Sequence, residues 1–361
     1  MTWSAQDFQF MSRAIQLAKR GLYTCDPNPR VGCVVTKDDQ IISEGWHAVT
    51  GEAHAEINAL TSCIDATNST VYLTLEPCSH YGRTSPCTEA LINANVNNVI
   101  IAMLDPNPLV SGLGIRKLED SGIGVKQGLL EVESRKLNPG FIKRMTKNLP
   151  YTRCKMAMSL DGRTALANGE SQWISSELSR RDVHHLRAAS SAILTSVETL
   201  LKDDASLNAR GLDFEFKQAV RIIIDRKLKT PNQAKLFSIP GHTLIYTEND
   251  NDTRIHELEN VGAEVVFLKK TESWLKEVFN HMAKEFEINE LMVEAGSTFS
   301  GALIEQGLVD ELVVYIAPIL LGHSANPLVK LKELKKIGEA KQLKIKDVRQ
   351  VGKNFRFILT L

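Results

Sequence analysis

The chain has 361 residues, of which 43% are hydrophobic and 24% charged, a composition typical of a folded globular protein with room for two domains. Lys plus Arg and Asp plus Glu both number 43, so the formal net charge is zero, and the balance holds in each half of the chain. This balance argues against a general nucleic-acid binder, and the apolar stretches are too short or too interrupted to span a bilayer.

The N-terminus and the cysteines indicate the compartment. Residues 1–10 include Asp7 and no basic residue, which is unlike a secretory signal. Five of the six cysteines lie within the first 87 residues. In a cytosolic protein such clustering is more typical of metal binding or catalysis than of disulfides. We therefore expect a cytoplasmic protein, with neither nucleic acid nor membrane as a partner.

The first half alternates predicted helices and strands. Ser4 is a candidate cap for a first helix that ends at Gly21, and Asp26 to Pro29 form a loop because two prolines bar regular pairing. The further predicted elements are a hairpin of strands 31–36 and 41–46, helix 52–61, strand 71–75, helix 88–94, strand 99–104, helix 114–121, a strand around Val125 and a helix from about 130 to 145.

Pro150 marks the predicted boundary between domains 1–148 and 149–361, and the second half is again α/β. Residues 249–252 are predicted to be a polar surface loop. The predicted elements are strand 152–158, a turn at Asp161-Gly162, helix 176–189, strand 192–195, helix 199–202, strands 220–225, 242–246, 264–268 and 290–294, helix 302–306, and strands 311–317 and 354–361.

The sharpest chemical signal is His54-Ala55-Glu56 followed by Cys78 and Cys87. One histidine and two cysteines suit zinc, and three protein ligands leave a fourth position open. His54 and Cys78 are each predicted to follow a strand and to lie at or near a helix start. Glu56 is close enough to move protons between water and a leaving amine. The pattern follows zinc deaminases, although the spacing from Cys78 to Cys87 is longer than their usual cysteine pair.

Two other interpretations of this constellation stay open at this point. A structural zinc site would need a fourth ligand, for which His80 and Cys63 are the candidates. Alternatively, the cysteines are simply buried and bind no metal.

The second half offers one notable segment, Gly296 to Ala302, between predicted strand 290–294 and predicted helix 302–306. Glycines permit close backbone approach, and a helix N-terminus attracts phosphate. The spacing of Gly296 and Gly301 mimics a Walker A loop but lacks its Lys, and the segment does not match the dinucleotide fingerprint. Tight packing explains such a junction equally well.

Several motifs together resemble one known family along essentially the whole chain: the bifunctional riboflavin-biosynthesis deaminase/reductases. The motifs are Asn28–Gly32, His54–Glu56, Glu76–Thr84, Pro86-Cys87, Asp105–Pro108, Lys155–Ala165, Gly169–Ile174, Leu186–Ala188, Thr195, Asp203-Asp204 and Glu294–Gly296. The resemblance implies an N-terminal cytidine-deaminase-like α/β/α sandwich and a C-terminal α/β domain similar to dihydrofolate reductase.

For the first domain, the resemblance implies zinc-dependent hydrolytic deamination of 2,5-diamino-6-ribosylamino-4(3H)-pyrimidinone 5′-phosphate. It assigns His54, Cys78 and Cys87 to one Zn²⁺ and makes Glu56 the catalytic proton shuttle. The implied substrate contacts are Asn28, Arg83 and Asn107. Asn28 and Asn107 also suit turns between prolines, and Arg83 could be a solvated loop charge.

For the second domain, the resemblance implies reduction of the ribosyl chain by NADPH, which gives 5-amino-6-ribitylaminouracil 5′-phosphate. The implied NADPH contacts are Ala157, Trp173, Thr199, Asp203, Gly296, Ser297, Thr298, Phe299, Ser300, Gly301 and Ala302. The implied substrate contacts are Ser171, Arg187, Leu207, Arg210 and Glu294. Arg187 and Arg210 suit a phosphate but also suit salt bridges. The resemblance further implies a homo-oligomer.

Two other function classes remain compatible with the zinc constellation alone. One is a nucleic-acid base deaminase fused to a binding domain, against which the balanced charge weighs. The other is a non-catalytic, zinc-stabilised binding module with a degenerate second half.

Overall fold

The chain forms two compact units, Met1–Asn148 and Leu149–Leu361. The computed structural model describes residues 2–81, 85–171 and 173–361. Within these ranges, no helix combines the length and the apolar character that crossing a membrane requires.

The N-terminal unit is built on a five-stranded sheet, whose strands are β1 (Gly32–Lys37), β2 (Gln40–Trp46), β3 (Thr70–Leu73), β4 (Asn98–Ile101) and β5 (Gly124–Gln127). Their order in the sheet is β2-β1-β3-β4-β5, in which β1 pairs antiparallel with β2 and β3, and β3, β4 and β5 run parallel. The helices are α1 (Ala5–Ala18), α2 (Ala55–Thr61), α3 (Cys87–Asn93), α4 (Leu113–Asp120), α5 (Glu131–Arg135) and α6 (Pro139–Lys147).

Alternating residues along these strands bury both faces of the sheet, which makes the unit the predicted α/β/α sandwich. On one face, Val34 and Tyr72 pack with the apolar side of α1. On the other face, Cys33 and Leu73 pack with residues of α2, α3 and α4. Ser4 caps α1 as predicted, and the structure adds a reciprocal capping box between Ser4 and Asp7.

The C-terminal unit contains a nine-stranded sheet and a two-stranded sheet. The strands are β6 (Tyr151–Ser159), β7 (Arg163–Ala165), β8 (Ala192–Ser196), β9 (Val220–Ile224), β10 (Thr243–Thr247), β11 (Glu264–Phe267), β12 (Glu290–Val293), β13 (Glu311–Ala317), β14 (Asn326–Pro327), β15 (Lys344–Val351) and β16 (Asn354–Thr360). The larger sheet has the order β11-β10-β9-β8-β12-β6-β13-β16-β15 and is parallel from β11 to β13 and antiparallel from β13 to β15. The smaller sheet consists of β7 and β14. The helices are α7 (Glu177–Ala188), α8 (Val197–Asp203), α9 (Asp252–Asn260), α10 (Trp274–Glu285) and α11 (Ser297–Glu305).

Helices cover the parallel part of this sheet on both faces. Phe279 of α10 and Leu303 of α11 belong to one core with Leu194 and Val293 of the central strands. Val183 of α7 packs on the opposite face against Met292 and neighbouring residues of β13. The predicted α/β class is therefore confirmed for both units.

Two predictions of local structure are wrong. The single helix predicted from 130 to 145 is two helices, because Pro139 begins a new helix at its first position. The helix predicted to start at Ala302 begins at Ser297, so most of the glycine-rich segment is helical. The polar surface loop predicted at 249–252 is confirmed for 249–251, and Asn251 ends it by accepting a hydrogen bond from the Arg254 N–H as the cap of α9.

Candidate functional site

Three side chains from separate segments meet in the N-terminal unit. His54 is the N-cap residue of α2, Cys87 is the first residue of α3, and Cys78 lies in the connection that precedes α3. The Nδ1 atom of His54 lies 3.3 Å from Sγ of Cys87 and 3.7 Å from Sγ of Cys78. All three ligand atoms lie within 4.8 Å of one another.

The donor set fits a tetrahedral zinc ion. Ordinary zinc bond lengths place neighbouring nitrogen and sulfur ligands about 3.6 Å apart and two sulfur ligands about 3.8 Å apart. The observed separations of His54 Nδ1 from the two thiols, 3.3 and 3.7 Å, bracket the first of these values. No large movement of the side chains is needed to bind the ion.

The surroundings favour a thiolate at Cys78. Hydrogen bonding by the Cys87 thiol is the largest cause that lowers the pKa of Cys78 to about 4, and the backbone N–H of Cys87 also donates to Sγ of Cys78 over 3.3 Å. The same hydrogen bond, with burial, raises the pKa of Cys87. The sequence predicts Cys78 at or near a helix start; Cys87 is the first residue of α3, and Cys78 lies near that start, where its Sγ accepts the Cys87 N–H.

The carboxyl group of Glu56 lies close to this cluster. The residue follows His54 on the first turn of α2 and is only 3% exposed. Burial is the main cause that raises the pKa of Glu56 to about 7, with a contribution from Cys78, and the carboxylate also hydrogen bonds with the Cys87 thiol. Such a group can both accept and return a proton near neutral pH.

A fourth protein ligand is not part of this cluster. Among the described His, Cys, Asp and Glu residues, the group of potential ligands consists of His54, Cys78 and Cys87 and does not include Cys63 or His80. The geometry therefore favours a site with an open position over a closed structural site.

The structure places Asn28 near the cluster through a histidine that the sequence analysis missed. The Nδ2 atom of Asn28 lies 3.1 Å from Nε2 of His47, whose Nδ1 lies 3.1 Å from the Ala53 carbonyl oxygen. The ring of His47 contacts that of His54 edge to face, with centroids 5.3 Å apart. A histidine directly after β2 has no distinctive spacing, so only the tertiary contacts reveal it.

The other two predicted substrate contacts of this unit are Asn107 and Arg83. Asn107 is half-buried in the connection before α4, where its Oδ1 accepts the N–H of Leu109 over 3.1 Å. Arg83 lies outside the described residues.

In the C-terminal unit, the predicted cofactor contacts Thr199 and Gly296 are neighbours. The N–H of Gly296 donates to Oγ1 of Thr199 over 3.2 Å, and Gly296 is the N-cap of α11 with no side-chain cap. A Cβ atom added at Gly296 would meet only Thr199 Oγ1, at 3.9 Å. A Cβ atom added at Gly301 would lie 2.0 Å from the Lys330 carbonyl oxygen, so the glycine allows α11 to pack closely against the backbone at Lys330.

The remaining members of the predicted segment lie on the first turns of α11. Thr298 is exposed, Ser297, Phe299 and Ala302 are half-buried, and Ser300 is buried with its hydroxyl donating to the Ala295 carbonyl over 3.2 Å. The exposed end of the segment, around Gly296 and Thr298, is therefore the part a ligand can reach.

Two predicted substrate contacts form an ion pair with each other. Nε and Nη2 of Arg187 donate to the two carboxylate oxygens of Glu294 over 2.6 and 2.9 Å. Nζ of Lys155, a second residue that the sequence analysis did not single out, lies 3.9 Å from the same carboxylate. Burial opposes ionisation of Glu294, but Arg187 and Lys155 hold its pKa at about 2.

The other predicted contacts of this unit are more dispersed. Arg210 is exposed, with Nη1 3.0 Å from Oδ1 of Asn208, whereas Leu207 is buried. Ala157 lies on the same face of β6 as Lys155, two residues further along.

Trp173 is 68% exposed, and the Arg180 guanidinium lies 4.4 Å from its ring centroid. Asp203 is exposed at the end of α8, and Ser171 is half-buried.

Two family models match the chain. The model of the cytidine and deoxycytidylate deaminase zinc-binding region matches residues 4–103, and the model of the RibD C-terminal domain matches residues 150–357. The zinc-binding region therefore includes His54, Cys78 and Cys87.

Relatives that match over nearly their whole length belong to the same family as these models. The riboflavin biosynthesis protein RibD of Escherichia coli is 45% identical over 359 residues, covering 96% of this chain and 97% of that protein. RibD of Haemophilus influenzae is 42% identical and covers 100% and 99% of the two chains.

Solved structures agree along the whole length. RibD of Acinetobacter baumannii superimposes with a TM-score of 0.93 at 42% identity, covering 98% of each chain. A diaminohydroxyphosphoribosylaminopyrimidine deaminase/5-amino-6-(5-phosphoribosylamino)uracil reductase from Thermotoga maritima gives a TM-score of 0.86 at 32% identity, also over 98% of each chain. The resemblance seen in the sequence motifs is thus confirmed, and the chain belongs to the RibD family of bifunctional riboflavin biosynthesis enzymes.

Proposed function

We propose that residues 1–148 form a zinc-dependent pyrimidine deaminase domain and residues 149–361 an NADPH-dependent reductase domain. The first domain would deaminate 2,5-diamino-6-ribosylamino-4(3H)-pyrimidinone 5′-phosphate. The second would reduce the ribosyl chain of the product to give 5-amino-6-ribitylaminouracil 5′-phosphate. Membership of the RibD family supports both steps and their order.

The observation that carries the deaminase proposal is the meeting of three zinc-type ligands beside a buried carboxyl group. His54, Cys78 and Cys87 would hold the ion, with the fourth position open. When bound, zinc lowers the pKa of the water that attacks the ring. Glu56 would accept a proton from that water and return it to the departing amine, a role that suits its burial and its raised pKa of about 7.

On the substrate side, Asn28 and Asn107 would contact the pyrimidine ribosyl phosphate. The hydrogen bond of Asn28 with His47 supports a fixed orientation of its amide beside the ligand cluster. Arg83 would contact the phosphate, a role that the family resemblance alone supports.

In the second domain, NADPH would bind around the N-terminus of α11. The uncapped helix end, the open space at Gly296 and the adjacent Thr199 support a phosphate there. Ala157, Trp173, Asp203 and the rest of 296–302 complete the proposed contacts. Hydride transfer then requires alignment of the two bound molecules and no metal.

For the reductase substrate, Arg210 is the better candidate for direct phosphate binding. Arg187 already uses Nε and Nη2 to bind Glu294 and Nη1 to bind the Asn208 carbonyl, over 3.0 Å. We propose that Arg187, Glu294, Ser171 and Leu207 shape the pocket around the substrate, while Arg210, which is exposed, binds its phosphate.

The experiment that tests the division of labour compares Glu56→Gln with Glu52→Gln, an exposed carboxylate just before the same helix. Ammonia release from the diaminopyrimidine phosphate and NADPH oxidation with the deaminated substrate are measured separately. We expect Glu56→Gln to lower deamination by at least about 10²-fold and leave reduction intact, and Glu52→Gln to change neither. Loss of both activities in folded Glu56→Gln protein would contradict the proposal.

We also propose that the chain acts in the cytoplasm on free small molecules and forms a homo-oligomer. The family resemblance supports these points. Light scattering on the purified protein tests self-association, and a monomeric mass at working concentrations would refute it.

A further inference from the structure

The tetrapeptide Asp-Pro-Asn-Pro occurs twice in the N-terminal unit, at residues 26–29 and 105–108. Each copy carries one of the asparagines that we propose as substrate contacts, Asn28 and Asn107. Because proline has no N–H to donate, such segments are poorly secured by regular backbone pairing. In this protein each copy is held by a buried polar side chain from another part of the unit.

Glu76 holds the second copy. Its side chain is 5% exposed, and its Oε2 accepts the N–H groups of Asp105 and Gly112 over 3.1 and 3.0 Å. Its Oε1 accepts those of Gly114 and Ile115 over 2.9 and 3.4 Å, at the start of α4. One carboxylate therefore secures both ends of the segment that contains Asn107, as well as the helix that follows.

The position of Glu76 in the chain links this segment to the ligand cluster. Cys78 follows it by two residues, and the carboxylate of Asp105 is close enough to Cys78 for their charges to interact. The backbone that carries a proposed zinc ligand and the segment that carries Asn107 are thus joined through one buried side chain.

Asn138 holds the first copy in a different way. Its side chain is 3% exposed, its Oδ1 accepts the N–H of Arg30 over 2.8 Å, and its Nδ2 donates to the Arg30 carbonyl over 2.9 Å. The amide thus pairs with the backbone immediately after Pro29 as a neighbouring strand would. Asn28, two residues earlier, is then within reach of His47.

We propose that Glu76 and Asn138 are positioning residues for deamination, which fix the two Asp-Pro-Asn-Pro segments so that Asn28 and Asn107 face the substrate beside the ligand cluster. The proposal rests on the proposed deaminase function. It assigns neither residue a contact with the substrate or with the metal.

The test uses the full chain with zinc bound and two near-isosteric variants. Glu76→Gln replaces one accepting oxygen by an NH₂ group, which cannot accept the N–H pair that faces it. Asn138→Asp replaces the donor to the Arg30 carbonyl by an oxygen. The matched control is Glu44→Gln, because Glu44 also accepts two hydrogen bonds, from Arg13, but lies on the outer strand β2.

We expect both variants to raise the KM for the diaminopyrimidine phosphate about tenfold, with kcat changed less than about threefold. Zinc content and the reductase rate with deaminated substrate should stay at wild-type values, and Glu44→Gln should leave all four quantities unchanged. Asn107→Ala should add little further increase in KM to Glu76→Gln, because both changes act on the same contact.

An unchanged KM in folded, zinc-loaded variants would overturn the proposal, and so would a loss of activity that only follows loss of zinc. If Glu76→Gln does not fold, Glu76→Asp, which keeps the charge on a shorter stem, must show the rise in KM. Wild-type protein that releases no ammonia would instead refute the proposed deaminase function itself.

Discussion

Arg187 and Glu294 form a two-point ion pair in which the exposed fractions of the two side chains are only 15% and 13%. The pair joins α7 to the end of β12, and it brings together two residues that the family resemblance assigns to the substrate. A pair this far from water is screened little by salt.

The depressed pKa of Glu294 predicts a contribution to acid stability. Its pKa is about 2 in the folded protein against 4.5 as an ordinary value, so the ionised group stabilises the fold above about pH 4.5, and that contribution is lost as the pH falls towards 2. Relative to Glu294→Gln, the wild type should therefore lose on the order of 3 kcal/mol of unfolding free energy across this window.

Chemical denaturation at several pH values measures this difference. Glu257→Gln is the control, since Glu257 also pairs with an arginine but its side chain is 50% exposed. A gap between wild type and Glu294→Gln that stays constant from pH 6 to pH 2 would show that Glu294 is not the responsible group.

Removal of the metal should separate the two activities. We expect dialysis against a chelator to abolish ammonia release and to leave NADPH oxidation with deaminated substrate unchanged, because the proposed ligands all lie in the N-terminal unit. Elemental analysis should find about one zinc per chain in wild-type protein and much less in Cys78→Ser.

Cys63→Ser is the matched control for this measurement, because Cys63 is a half-buried cysteine of the same unit outside the ligand cluster. It should keep its zinc. Active protein that contains no zinc would rule out the proposed metal site.

Gly296, the N-cap of α11, and Gly301, within the helix, are expected to respond differently to substitution by alanine. Gly296→Ala fits the free protein, since its Cβ would lie 3.9 Å from the nearest atom, but it would obstruct a cofactor at the helix end. We expect its melting temperature to stay within about 2 °C of wild type and the KM for NADPH to rise about tenfold.

Gly301→Ala should show the opposite pattern. Its Cβ would lie 2.0 Å from a backbone oxygen of Lys330, so the backbone must shift, and we expect destabilisation of about 1–3 kcal/mol. Thermal unfolding and NADPH titration of both variants check the pair. An unchanged KM for NADPH in Gly296→Ala would place the cofactor elsewhere.

Arg210 offers a test of phosphate recognition that does not disturb the fold. It is exposed, so Arg210→Ala should leave thermal stability unchanged while raising the KM for the deaminated substrate about tenfold. Arg181→Ala, which removes an arginine 58% exposed in its side chain, serves as the control and should have no effect on this KM. Equal KM values for the two variants would remove Arg210 from the substrate site.

Much of the fold can be predicted from local patterns in the sequence. The capping box of Ser4 and Asp7 and the apolar run of β13 are local signals, and both elements form where expected. The errors are local as well: Pro139 divides a continuous amphipathic pattern, and α11 begins at Ser297, five residues before the predicted start, with Gly296 as its N-cap.

Only part of the candidate site can be predicted from the sequence. His54, Cys78 and Cys87 have ligand chemistry and a recognisable spacing, so the amino-acid sequence alone is enough to propose them as ligands. His47 and Asn138 have ordinary neighbours, and Glu76 lies in a family motif that does not indicate what its side chain binds. The importance of all three comes from contacts with distant parts of the chain, such as the contact between Arg30 and Asn138, which are 108 positions apart. Tertiary contacts of this kind carry no local sequence signal.

We propose that one chain deaminates first and reduces second, and a product assay with the diaminopyrimidine phosphate tests this order most directly. Without NADPH, the protein should release ammonia and accumulate the deaminated ribosyl compound. With NADPH, oxidation of the cofactor should begin only after deaminated product has formed, and the final product should carry a ribityl chain. NADPH oxidation that precedes ammonia release, or proceeds without it, would contradict the account.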